Sequence, residues 1–139
     1  MASTLFRGPV LAGKKNEAGV TGYNIEQKDS NYTVVTTTDS GKTFLSNTKD
    51  VVFTLPAIAM GNSFTFVNTG ADGQNNLTIS PNASDGIAYI TAVDNKDLIN
   101  THTTSKVGDH VTLSAIADAN TSVVFWSVTS IQGVWAKES

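Results

Sequence analysis

Residues 50–81 read DVVFTLPAIAMGNSFTFVNTGADGQNNLTISP, and apolar side chains return there at every second position. Successive side chains of an extended strand point to opposite faces, so period-two alternation marks a strand with one buried face. Phe64 and Phe66 share one face of NSFTFVN (62–68), with Ser63, Thr65 and Val67 on the other. Leu77 and Ile79 pair in the same way in NNLTISP (75–81). The interruptions, Met60-Gly61-Asn62 and Gly70-Ala71-Asp72-Gly73, are rich in residues that tolerate turn backbone. The stretch reads as sheet broken by turns.

The rest of the chain supports an all-β class. It has 19 Thr and 14 Val against 7 Leu and 3 Glu, and β-branched residues suit a pleated surface better than a helix. YTVVTTT (32–38) and KTFLS (42–46) are expected to form a hairpin through Asp39-Ser40-Gly41, with Gly41 at positive φ. DHVTLSAIA (109–117) alternates, and SVVFWSVT (122–129) is apolar enough for a strand buried on both sides. Residues 94–109 form a polar excursion with room for one short strand. About eight short, mainly antiparallel strands are expected, in a small sandwich or barrel. No fixed-period repeat is visible. Residues 1–30 have no periodicity and read as an extended N-terminal arm before a single β domain, 31–139.

Composition excludes several functions. The 139 residues suit one domain with its own core. The chain has no cysteine, so a disulfide or thiolate metal site is impossible. A net charge of -3 without a clustered basic face argues against nucleic-acid binding. No apolar run reaches the ~18 residues of a membrane span, and Arg7 and Pro9 interrupt the region where a signal peptide needs its apolar stretch. A soluble chain made inside the cell is expected.

Plainer readings account for the motifs that could carry chemistry. Gly41-Lys42-Thr43 lacks the upstream glycine of a phosphate loop, because Thr36 stands there. His102 and His110 have no set of partners at zinc-binding spacing, and no strand-turn-helix elbow surrounds a serine. Glu17, Glu26 and Glu138 lie in the arm and tail, away from any cleft. Asp72-Gly73-Gln74-Asn75-Asn76 and Asp94-Asn95-Lys96-Asp97 resemble calcium loops in composition but lack the alternating ligand pattern. Neither catalytic residues, a metal nor a cofactor is expected. Trp126 reads as core or interface, and Trp135 as half exposed, where a sugar could stack.

The phrases VVFTLP (51–56), GNSFTFVNTG (61–70), LTISP (77–81), DGI (85–87), GDHVTL (108–113), FWSV (125–128) and GVW (133–135) occur in that order. Their succession resembles β-rich virion proteins of tailed bacteriophages, and TLFRGPV (4–10) is similar to the start of head decoration (cement) proteins. The polar segment 94–109 matches no shared phrase. The resemblance implies a non-enzymatic protein made in the host cytoplasm and located on the virion. It implies binding to the outer surface of the assembled head, contact with the major capsid protein and homotrimer formation. The other reading is a tail-fibre or receptor-binding module recognising host surface sugars. For partner binding the arm offers Leu5, Phe6, Arg7, Pro9, Val10 and Leu11. Its apolar residues could bury surface against a neighbour, and the Arg7 fork suits a carboxylate.

Overall fold

Parallel strands cannot be joined by a tight turn; each connection has to cross over and return. This chain crosses by visiting a second sheet. The computed structural model describes residues 24–90 and 93–139, and among these lie eleven strands and one helical turn. They are β1 (Ile25–Gln27), β2 (Tyr32–Thr33), α1 (Thr36–Asp39), β3 (Thr43–Ser46), β4 (Val51–Thr54), β5 (Ser63–Asn68), β6 (Leu77–Ser80), β7 (Ile87–Ala88), β8 (Leu98–Asn100), β9 (His110–Asp118), β10 (Val123–Gln132) and β11 (Trp135–Lys137).

The first sheet has the order β1-β3-β5-β9-β10-β7 and the second β11-β8-β6-β4-β2. From β1 to β9 each successive strand falls in the other sheet, so the chain winds round the core. Five of the nine strand pairings are consequently parallel: β1/β3, β3/β5, β2/β4, β4/β6 and β7/β10. The expectation of an all-β sandwich or barrel holds, with more strands and mixed sheets in place of mainly antiparallel ones. The windings are unequal in length. Ile25 stands opposite Thr43, and Thr43 opposite Thr65, which explains why no fixed period shows in the sequence.

Three local expectations are corrected. Residues 32–46 form no hairpin, because β2 and β3 belong to different sheets and α1 intervenes. Gly41 does take φ +82°. The sheet reaches back to Ile25, inside the expected arm, where β1 pairs with β3. The segment 122–129 is buried on one face only: Trp126 is enclosed, whereas Val123 and Val124 are exposed.

The inward faces make the core. Phe44, Phe64, Phe66, Leu113 and Trp126 come from the first sheet, and Phe53, Leu77, Ile79 and Leu98 from the second. Phe53 meets Phe66 at 5.0 Å and Phe44 at 5.4 Å between ring centroids, and Phe64 meets Trp126 at 5.7 Å. Offset and tilted ring pairs at these distances are favourable beyond the area they bury.

One end of the sandwich is closed by polar side chains. Asn68 follows Phe64 and Phe66 in inward parity and ends β5; Asn100 ends β8 in the other sheet. Both are buried, as is Asp109. Asn68 Nδ2 donates to Asn100 Oδ1 at 2.8 Å, and Asn100 Nδ2 donates to Asp109 Oδ2 at 2.9 Å and to the Val134 carbonyl at 3.0 Å. The Lys106 amide also donates to Asp109 Oδ2, at 3.0 Å. Gly133, at φ +96°, lets the chain pass this carboxylate, for a Cβ there would lie 2.2 Å from Asp109 Cγ.

Removing the bridge leaves two buried polar groups short of partners. Asn100→Ala is expected to cost about 3 kcal/mol, a fall in melting temperature of roughly 10 °C for a domain of this size. Asn120→Ala, in the exposed β9–β10 turn, is expected to shift it by less than about 2 °C. Thermal unfolding followed by circular dichroism compares them; equal melting temperatures would refute the bridging role.

Candidate interaction surface

Among the described residues there is no pocket and no group of three or more His, Cys, Asp or Glu side chains placed to hold a metal. No helix there is long and apolar enough to cross a membrane. What the described fold offers a partner is its exterior, and the alternation that builds the core also fixes that exterior.

On the first sheet the outward positions of β3, β5 and the adjoining part of β9 are Thr43, Leu45, Ser63, Thr65, Val67, His110, Thr112 and Ser114. None is Asp, Glu, Lys or Arg. Thr43, Thr65 and Thr112 stand in register across three strands. Thr65 Oγ1 and Thr112 Oγ1 are 2.8 Å apart, and Ser63 Oγ and Ser114 Oγ 3.2 Å apart, so these hydroxyls bond one another across the strands. The second sheet presents Thr33, Val52, Thr54, Thr78, Ser80, Ile99 and Ala136 outward, again without charge. Charge depletion is characteristic of the centre of a protein interface.

Charged side chains instead gather at strand ends and in loops. Lys42 of the Gly41-Lys42-Thr43 run is held by Glu26 Oε1 at 2.8 Å and Asp39 Oδ1 at 3.0 Å, which makes it a structural cation. Lys28 pairs with Glu26 Oε2 at 2.7 Å and lies 3.8 Å from the Tyr32 ring centroid. Asp39 is buried and accepts from the Tyr32 hydroxyl and the Val35 amide, both at 2.8 Å. Burial pushes the Asp39 carboxyl up. The Val35 amide, the Tyr32 hydroxyl and Lys42 together outweigh it and hold the carboxyl below its ordinary value. Hydrogen bonds from Lys28 and then Lys42 lower Glu26 likewise, while Glu26 is the main reason that Lys42 is raised.

The calcium-like compositions have other uses. Asp72 accepts the Val107 amide at 2.9 Å, and Asn76 Oδ1 accepts the His102 amide at 2.8 Å, so residues 70–76 anchor the polar excursion. Asp94 pairs with Lys137, and Asn95 Nδ2 donates to the Asn82 and Asp85 carbonyls. The histidines stay apart: His102 Nδ1 lies 3.3 Å from Asn76 Oδ1, and His110 Nδ1 lies 3.1 Å from the Gly108 carbonyl.

Trp135 is 4% exposed and not half exposed, because its indole Nε1 donates to the Gln132 carbonyl at 2.9 Å and its ring closes the core. With Trp126 fully enclosed, neither tryptophan offers a platform for stacking a sugar. Leu5, Phe6, Arg7, Pro9, Val10 and Leu11 lie outside the described residues. Sequence reading missed the outward faces as a surface, although the signal was there: the polar half of each alternating run is Thr and Ser, with hardly a Lys or Glu.

Acid should weaken the Asp39 cluster. A carboxyl lowered by folding stabilises above its unfolded value, near pH 4, and that contribution is lost as pH falls through the lower folded value. The melting temperature is expected to drop as pH falls below about 4, and Asp39→Asn to flatten that drop. A variant whose pH dependence parallels the wild type would refute the assignment.

No protein-family model, curated protein or solved structure matches this chain.

Proposed function

We propose that this protein decorates the head of a tailed bacteriophage. In this reading it is a non-enzymatic cement protein that binds the outer surface of the assembled capsid, bridges major capsid subunits and acts as a homotrimer. The observation that carries the reading is the lack of charge on the outward faces of both sheets, where a small β protein commonly carries Lys and Glu to stay apart from its neighbours. The succession of short phrases from VVFTLP to GVW supports it. The enclosed tryptophans take away the feature that favoured a sugar-binding fibre module.

A cement protein works by mass action. Binding assembled lattice better than free subunits stabilises the lattice. Leu5, Phe6, Pro9, Val10 and Leu11 are assigned to attachment, with Arg7 pairing a carboxylate on the capsid.

The test is sedimentation of the purified protein with heads that lack it. Saturable co-sedimentation and a raised temperature of head disruption are expected, with no adsorption to host cells. Deleting residues 1–20 is expected to abolish co-sedimentation and leave the melting temperature unchanged. Equal affinity for heads and free capsid subunits, or binding only to cells, would overturn the proposal.

A further inference from the structure

We infer that the folded chain joins Lys137 to Asp94 by an isopeptide bond. Lys137 lies on β11, the edge strand of the second sheet, and shares inward parity with the buried Trp135. Its register partner is Leu98, which is also buried. The Lys137 side chain is 8% exposed, against 20% or more for every other lysine in an ion pair among the described residues. Its Nζ contacts Asp94, and among those residues it has no second acceptor.

Backbone bonds hold both partners in place. Lys137 pairs with Leu98 in the sheet, and the following Glu138 amide donates to the Asp97 carbonyl at 2.9 Å. Asp94 forms a bridge with Ile87, whose amide donates to the Asp94 carbonyl at 3.0 Å. Gly86 permits this approach, for a Cβ there would lie 3.0 Å from the same carbonyl oxygen. An amine and a carboxyl fixed against each other react at an effective concentration that reaches about 10⁵ M or more. Amide formation, unfavourable between free groups in water, becomes the favoured direction under that constraint. The alternative is a largely buried ion pair, whose mutual attraction repays its desolvation poorly.

The step needs no co-reactant. Moving one proton from Nζ to the carboxylate turns the ion pair into an amine and a carboxylic acid. The Nζ lone pair attacks Asp94 Cγ, and a C–N bond forms. The C–O bond breaks, and its oxygen leaves as water with the acid proton and one proton from nitrogen. The Asp94 side chain is 34% exposed, which gives that water a way out. The bond closes a covalent loop over residues 94–137 and pins the last strand, β11. Such a tie restricts the unfolded chain as a disulfide would, in a sequence that has no cysteine to make one. The inference does not depend on the proposed role at the phage head.

Mass spectrometry of the full chain under denaturing conditions reads the bond directly. The wild type, 14.6 kDa by sequence, is expected to be lighter by one water molecule. A protease digest is expected to contain two peptides joined through residues 94 and 137. Lys137→Arg keeps a cation beside Asp94 but offers no free amine, because a guanidinium stays protonated. That variant is expected at its full sequence mass, with an unchanged circular dichroism spectrum and a lower melting temperature. Asp72-Gly73 and Asp85-Gly86 can also lose water, as cyclic imides, but that loss would persist in Lys137→Arg. A wild type at full sequence mass, a digest without the joined peptides, or a water loss that survives in Lys137→Arg would each overturn the inference.

Discussion

The Asn100 side chain is the link on which the two-sheet arrangement depends. The windings of the chain bring β5 and β8 to the same end of the sandwich, where their last residues are amides and not hydrocarbons. Asn100 is fully buried and spans the gap: its oxygen accepts from Asn68 of the opposite sheet, and its amide donates to Asp109. Asp109 makes none of the ion pairs found among the described residues. Its buried carboxylate relies on that amide and on the Lys106 backbone. Breaking a buried polar network costs more than its net worth when intact, so the node fixes the register of both sheets and of the segment between β8 and β9.

The two ends of the molecule therefore differ in kind. At the node end loops are tied down by backbone bonds beside the side-chain ones: the Asn68 amide donates to the Asp109 carbonyl and the Gly108 amide to the Asn68 carbonyl, each at 2.8 Å. At the other end the connections carry Val35 and Met60 outward and the β9–β10 ribbon runs on past the body.

Much of the fold was legible because alternation declares which side chains face inward. Phe64, Phe66, Leu77, Ile79, Val111 and Leu113 are all buried where period two puts them. Alternation does not declare the partner strand, so the winding between sheets stayed hidden, and Thr-rich residues 32–38 read as a strand although the chain turns there to bury Asp39. The node was missed because Asn and Asp are read as turn residues. Its signal was parity: Asn68 continues Phe64 and Phe66, and Asn100 continues Leu98. The apolar run around Trp126 misled for another reason, since an exposed ribbon and a buried strand share one composition until the length of the neighbouring strands is known.

Backbone amide hydrogen exchange tests the central claim most directly, because it reads local opening residue by residue. The amides of Asn68, Gly70, Lys106 and Gly108 all donate within the polar node. They are expected to exchange as slowly as those of Phe64 and Phe66 in the central strand. Exchange of the node amides at the rate of exposed loops, with Phe64 and Phe66 still protected, would contradict the claim that the sandwich is held shut at this end.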